Sequence, residues 1–453
     1  MEQDEHSALD HASAHARRWL DQVASRRVPA AARIGDVAAR LGTVLPEFGT
    51  PAAEVIDRLV AAVEPGLMAS QSGRFFGWVM GSTVPAALAA DWLVSAWDQN
   101  AGMRDATPGV VAAEEVAARW LVELLGIPDD PAVGFTTGAT TANFVSLAAA
   151  RGRVLARAGW DSAQGLAAGP RVRVLVGAER HGSVDLALRY LGLGLPETVG
   201  VDAQGRLDPA QLRVALADSQ GPVIVCLQAG NIHSGAFDPF EDAIAEAHRA
   251  GAWVHVDGAF GLWAAVTPRL SALVAGMEQA DSWATDAHKT LNTPYDCGIA
   301  MVQDGDALRA AMSVHPSYLL TSSAFDPFEH VPEMSRRARG VPVWAAIASL
   351  GAAGVRELVE GLVAAASGLA EGLARIPGVR ILNDVVYTQV SAAFETPDRT
   401  REVFARILEE GTVMPSASVW RDEPVIRFSV SSWRTGAAEV AETVAAVERA
   451  ALR

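Results

Sequence analysis

From residue 132 to residue 302, short apolar runs alternate with helical stretches, and this alternation constrains the fold more than any other feature. "AVGFTT" (132–137), "RVRVLVG" (171–177), "PVIVCLQ" (222–228), "AWVHVD" (252–257), "DSWATD" (281–286) and "GIAMV" (298–302) read as buried strands. Stretches 141–157, 183–192 and 239–250 between them read as helices. Buried strands separated by helices predict an α/β architecture with a mostly parallel sheet. Ligands of such sheets bind beyond the carboxyl ends of the strands, so chemistry is expected in the residues that follow each run.

The flanks read differently. Residues 1–70 carry apolar residues at helical spacing in "HARRWLDQVASR" and "PAAEVIDRLVAAVEP", which predicts helical arms. After about 340, a long Ala/Gly/Leu-rich helical stretch (342–375) precedes strands near 379–382, 386–394, 412–416 and 424–431, with helices at 398–410 and at the chain end. This predicts a smaller α+β domain. At 453 residues the chain is too long for one core, and the boundaries fall near 1–70, 71–335 and 336–453.

A net charge of −16 leaves no excess of cations for phosphates, which argues against nucleic acid and anionic membranes as partners. No apolar run has the length of a membrane span and the start lacks the pattern of a signal peptide, so a cytoplasmic protein is expected. Cys226 and Cys297 lie far apart in apolar runs and read as free core thiols. No Cys/His cluster has zinc-ligand spacing, and no metal is expected.

The strand ends carry polar groups in sequence. "TTGATTAN" (136–143) turns into a helix, and Gly138, Ala139 and Thr140 would present N–H groups and a hydroxyl to an anion. His181 and Ser183 follow the second run; Ser183 as a helix cap and His181 as a solvated loop residue is the structural reading. Gly230, Asn231, His233 and Ser234 follow the third. Asp257 ends the fourth, where a carboxylate needs a strong partner.

Lys289 follows the fifth run, and it is the only lysine in the chain. One lysine in an arginine-rich sequence is compatible with composition alone. Chemically, however, a guanidinium cannot condense with an aldehyde, whereas a lysine amine forms a Schiff base. Taken together, an anion cradle, a flat ring, a buried carboxylate and a lysine are the equipment for pyridoxal phosphate. A carboxylate at the pyridine nitrogen would keep that ring protonated and able to accept charge from the substrate α-carbon.

Over roughly residues 70–440 the sequence resembles the pyridoxal-phosphate-dependent amino-acid decarboxylases of glutamate, histidine, tyrosine and aromatic amino acids (group II). The resemblance rests on "FFGWVMGSTVP", "GFTTGATTAN", "HGSVDLAL", "AGNIHSGAFDPF", "WVHVDGAFG", "DAHKTLNTP", "SYLL", "SRRARG…W" and "VIRFSVSSW", in that order. It implies the aspartate-aminotransferase-like fold (fold type I): a large seven-stranded-type sheet domain, a small C-terminal domain, and an N-terminal arm that embraces a dimer partner. Active sites would be shared between the subunits of a homodimer.

The resemblance also implies roles. Lys289 would bind the cofactor covalently, Asp257 would face its ring nitrogen, His181 would stack on the ring and Ala259 would lie near the other face. His288, Asn231 and the turn Gly138–Ala139–Thr140 would complete the cofactor site, although many relatives have a second glycine where this chain has Ala139. Arg427 matches an arginine that holds the substrate carboxylate in some relatives, and Phe76 and Trp78 would face the substrate. Phe75, Trp97 and Trp283 lie in neighbouring segments.

One stretch departs from the pattern. Relatives carry a loop tyrosine that protonates the α-carbon after carbon dioxide leaves, whereas 320–334 contains none. His330 is its only conventional proton donor near neutrality, with Tyr318, Tyr295 and His181 as further candidates. In relatives, losing that tyrosine to phenylalanine favours oxygen-dependent aldehyde formation. The expected function is therefore decarboxylation of an amino acid, with an aromatic or apolar substrate favoured. A related lyase or decarboxylating aldehyde synthase is the first alternative, and a non-catalytic cofactor-binding protein the second.

Overall fold

The computed structural model describes residues 2–217, 219–314 and 325–452. Helices α1 (Glu2–Gln22), α2 (Ile34–Leu41), α3 (Ala52–Val63), α4 (Pro85–Trp97) and α5 (Pro108–Leu125) come first. The α1 and α3 helices pack together, and His11 and His15 of α1 both reach the Asp57 carboxylate of α3, at 3.0 and 2.8 Å.

The alternating region follows: β1 (Ala132–Thr136), α6 (Ala139–Arg157), β2 (Arg173–Gly177), α7 (Gly182–Tyr190), β3 (Glu197–Val199), α8 (Pro209–Leu216), β4 (Val223–Gln228), α9 (Phe240–Arg249), β5 (Trp253–Asp257), β6 (Ser282–Asp286), β7 (Gly298–Val302) and α10 (Gly305–Met312). The last third contains α11 (Gly340–Leu373), β8 (Arg380–Ile381), β9 (Gln389–Ala393), α12 (Pro397–Glu410), β10 (Ser416–Trp420), β11 (Glu423–Ser429) and α13 (Ala437–Leu452).

The large sheet has seven strands in the order β1-β7-β6-β5-β4-β2-β3, and β7 alone runs against its neighbours. Its central strands are apolar on both faces because helices cover both. Val174, Val176, Ile224, Cys226 and Trp253 face α6 and α7, whereas Leu175, Val225, Leu227, Val254 and Val256 face the opposite helical layer. This strict alternation sets which strand side chains meet α6: Trp253, His255 and Asp257 of β5, and Ser282, Ala284 and Asp286 of β6.

The small sheet, β10-β11-β9-β8, is antiparallel. One face is buried under α11, α12 and α13 through Leu362, Leu369, Val403, Ile426, Phe428 and Val447. The α11 helix links the two layers. It bends at Gly351, whose φ of +65° suits glycine; its first half packs on α4 and α5 and its second on α13.

Most expected strands agree with the structure to within two residues, with three differences. The strand expected from 386 begins only at Gln389. The short β3 has no apolar run to mark it. The strand expected at 412–416 is instead Ser416–Trp420. Val413 and Met414 are buried, but they pack beside Phe75 through a single parallel bridge.

Candidate active site

The carboxyl ends of β1, β2, β4, β5 and β6 converge on a cavity of about 220 Å³. Gly138, Ala139, Thr140, His181, Asp257, Ala259, His288 and Lys289 all line it, with Trp78, Ile232 and Phe260 as its large apolar walls. Two close approaches shape the floor. A Cβ on Gly298 would lie 2.4 Å from the backbone of Gly138, and one on Gly81 would lie 2.2 Å from the carbonyl oxygen of Lys289. Only glycine lets the α6 turn lie on β7 and the 77–81 loop lie on the lysine loop.

Lys289 Nζ lies 2.8 Å from Asp286 Oδ2, and Asp286 Oδ1 accepts the Ala139 N–H at 2.6 Å. The start of α6 is thus joined to the lysine through one nearly inaccessible carboxylate. His288 Nδ1 accepts the Cys297 N–H at 3.2 Å, so the neutral ring carries its proton on Nε2, free to donate to an anion. Burial lowers the His288 pKa, and the nearby Asp286 charge opposes that shift.

His181 caps α7: its Nδ1 accepts the Ser183 N–H at 3.2 Å. Its neutral ring therefore also carries the proton on Nε2. The Ser183 hydroxyl lies 2.8 Å from the same nitrogen and 3.4 Å from Asp257 Oδ2. Asp257 Oδ2 accepts the Asn143 amide at 3.1 Å, and Oδ1 accepts the Ala259 N–H at 3.3 Å. Although Asp257 is only 6% exposed, none of these donors is a cation. A buried carboxylate with neutral donors on its flanks suits a protonated ring nitrogen.

Several expected residues lie elsewhere. Phe76 does not line the cavity: its ring is buried in the small-sheet core, 5.7 Å edge-on to Phe428. Asn231 spends its amide on its own loop, accepting the His233 and Ser234 N–H groups and donating to the Glu179 carbonyl. His330 lines a separate cavity of about 640 Å³ between α5 and the segment beyond 325, and its Nδ1 donates to the Val133 carbonyl at 3.0 Å. It therefore does not join Lys289 within this chain. Trp283 is a core residue donating to the Met277 carbonyl, Trp97 is half exposed at the end of α4, and Tyr318 lies outside the described residues.

Arg427 borders the site without lining the cavity. Its register partners on β10 and β9 are Ser416 and Ser391. Ser416 Oγ accepts the Trp78 N–H at 2.9 Å, and Ser391 Oγ donates to the His233 carbonyl at 2.7 Å. Arg427 is 6% exposed, burial pushes it down to about 10, and its Nε has no hydrogen-bond partner among the described residues. Asn143 and Asp286 carry no motif of their own in the sequence; their signal is a polar residue on the inward face of an otherwise apolar helix and strand.

Residues 36–395 match the family model described as "Pyridoxal-dependent decarboxylase conserved domain". The chain belongs to the pyridoxal-dependent decarboxylase family. It is 28% identical over 419 residues to tryptophan decarboxylase 1 of Oryza sativa subsp. japonica, covering 84% of this chain and 81% of the relative. Phenylacetaldehyde synthase of Petunia hybrida is 25% identical over 331 residues, covering 68% and 64%. The crystal structure of Oryza sativa TDC with PLP and tryptamine superposes with a TM-score of 0.93 at 24% identity, covering 100% of this chain and 98% of that one.

Pyridoxal phosphate is the cofactor of this decarboxylase, and the donor set fits it. Thr140 at the α6 start and His288 offer donors to a phosphate, Lys289 offers the amine for the aldehyde, and Asp257 offers a carboxylate to the ring nitrogen. The bound cofactor supplies an electron-withdrawing ring that takes up charge as carbon dioxide leaves. Among the described residues, no cluster of His, Cys, Asp and Glu could hold a metal ion, and no helix is long and apolar enough to cross a membrane.

Proposed function

We propose that this decarboxylase converts an L-amino acid with an aromatic or apolar side chain to its amine and carbon dioxide. The observation that carries this reading is the convergence of the single lysine and the cation-free Asp257 on one cavity walled by Trp78, Ile232 and Phe260. Lys289 holds the cofactor, Asp257 keeps its ring nitrogen protonated, and His181 lies against the ring with Ala259 near its opposite side. Arg427 receives the substrate carboxylate. Ile232 and Phe260 give the cavity an apolar side, and charge on the reacting carbon is balanced by the protein's fixed groups.

The second reading is an aldehyde synthase, in which oxygen consumes the substrate-derived carbanion. Amino acid, oxygen and water would then give aldehyde, carbon dioxide, ammonia and hydrogen peroxide. It is favoured by the absence of tyrosine from residues 320–334 and by the similarity to phenylacetaldehyde synthase. Screening the twenty amino acids for carbon dioxide release, then analysing products with and without oxygen, tests both. Amine in both atmospheres supports the first reading; peroxide and aldehyde only with oxygen support the second.

The working form in this proposal is a cytoplasmic homodimer with shared active sites. Trp92, Leu93 and Trp97 on α4 are 41–49% exposed, and Ile34, Leu45 and Phe48 of the N-terminal arm are 79–91% exposed, a large apolar area for one copy to leave in water. Both cysteines are free and buried, which suits a reducing compartment. Sedimentation at micromolar concentration tests the dimer, and a monomer there would rule it out.

A further inference from the structure

Behind Asp257, between α6 and the sheet, runs a row of buried polar groups that takes no direct part in the site. Trp253 Nε1 donates to Ser282 Oγ at 2.9 Å, and His255 Nδ1 lies 3.0 Å from the same hydroxyl. His255 Nε2 lies 2.9 Å from Asn143 Oδ1, and Asn143 Nδ2 lies 3.1 Å from Asp257 Oδ2. His255 and Ser282 are direct neighbours in the parallel register of β5 and β6. Trp253, Ser282, His255 and Asn143 are each at most 1% exposed.

The chemistry of the groups fixes the direction of every bond. A carboxylate only accepts, so Asn143 must present its NH₂ to Asp257 and turn its carbonyl oxygen to His255. An amide oxygen also only accepts, so His255 must donate from Nε2, leaving Nδ1 to accept the Ser282 O–H. The Ser282 oxygen in turn accepts the indole N–H. The donors form one line from Trp253 to Asp257, each bond polarising the next in the same sense. Burial pushes His255 down to about 4, so near neutrality the ring is an uncharged, rigid donor and not a proton carrier.

Polar groups inside an α/β core cost stability unless satisfied, and apolar residues would fill the same space without that risk. We propose that His255 is a positioning residue: through Asn143 it holds Asp257 as a fixed acceptor for the cofactor's ring nitrogen. This rests on the reading that pyridoxal phosphate binds at Lys289. Ser183 and Ala259 steady the carboxylate from the cavity side, whereas the His255–Asn143 line is its support from the core. Without it, the Asn143 amide is held only through its NH₂, by Ser183 Oγ at 3.2 Å and Asp257 Oδ2 at 3.1 Å, and the donor on Oδ2 is less firmly placed.

The unmutated holoprotein, labelled with ¹⁵N-histidine, gives the first test, with the His255 signal assigned by its loss in His255→Gln. At pH 7 the proposal requires a proton on Nε2 and a lone pair on Nδ1; the opposite tautomer overturns it. The second test compares His255→Leu with His255→Gln, which keeps a donor near the Nε2 position. In the leucine variant, kcat should fall roughly tenfold, the size of one lost hydrogen bond to a charged group's support. KM should stay within about twofold, and release of pyridoxal phosphate from preloaded protein should quicken by several-fold. Glutamine should restore most of both.

A folded leucine variant with unchanged kcat and release, or a glutamine variant no better than leucine, overturns the proposal. If leucine does not fold, Ser282→Ala takes its place, with a smaller loss in the same two readouts expected and no change in either overturning it. Failure of the unmutated protein to bind pyridoxal phosphate would instead refute the underlying reading, and the tautomer measured without cofactor tells the two failures apart.

Discussion

Arg336 and Glu114 form a two-pronged ion pair inside the protein, Nη1 to Oε2 at 2.6 Å and Nη2 to Oε1 at 3.1 Å, with side chains 1% and 4% exposed. The same guanidinium donates to the Ala101 and Phe135 carbonyls, and Glu114 Oε1 also accepts the Gly340 N–H. One pair therefore fastens α5, the end of β1 and the start of α11. Arg336→Leu strands a buried carboxylate and should cost about 3–5 kcal/mol in urea unfolding. A loss below about 1 kcal/mol would show that the three elements hold together without it.

Asp257→Asn keeps the shape of the site but presents no charge to the ring nitrogen. Cofactor absorbance should persist at raised pyridoxal phosphate concentration, while kcat falls by about a hundredfold or more, as for other lost electrostatic stabilisers. Near-normal kcat would mean that the carboxylate serves the α6–sheet packing alone.

Arg427→Lys replaces a planar fork by a point charge in a buried position beside Trp78 and His233. KM for the amino acid should rise roughly tenfold while the affinity for pyridoxal phosphate stays the same. An unchanged KM would mean that the guanidinium serves the packing of the small sheet.

Acid should weaken the fold before it reaches the carboxylates. Burial holds His255 at about 4, and burial together with the Arg427 charge holds His233 at about 4. Unfolded imidazoles titrate near 6.5, so between these values the unfolded chain binds the extra protons. Stability is therefore complete above about pH 6.5 and is lost as pH falls toward 4, by about 3 kcal/mol for His255 at the lower end. Asp238, raised to about 6 by burial, acts in the opposite sense, losing its contribution as pH rises through 6. Its two backbone donors at 2.7 Å favour the ionised form and limit that effect. The urea midpoint should be lower at pH 5 than at pH 7, and His255→Gln should narrow the gap; equal midpoints would contradict this.

The central strands were legible because a parallel sheet buried on both faces leaves near-continuous apolar runs, and "GIAMV" matches β7 at both ends. The strand ends then named the cavity: Gly138, His181, Asp257, His288 and Lys289 all line it. An aromatic beside a site segment has the same local pattern whether it faces a ligand or the small-sheet core, and Phe76 packs in that core. A polar loop residue is indistinguishable in sequence from one that spends its amide on the turn, as Asn231 does. The Asn143–His255 contact has no sequence signal, since the two residues lie 112 positions apart and only the β5–α6 packing brings them together.

Lys289 is the chain's single amine able to carry the cofactor on a side chain, and chemical trapping reads this out. Protein loaded with pyridoxal phosphate is reduced with borohydride, digested, and its peptides weighed. The cofactor mass should appear on the peptide containing Lys289, with neither label nor visible absorbance in Lys289→Ala or Lys289→Arg. Label on any other peptide, or carbon dioxide release by the arginine variant, would contradict it.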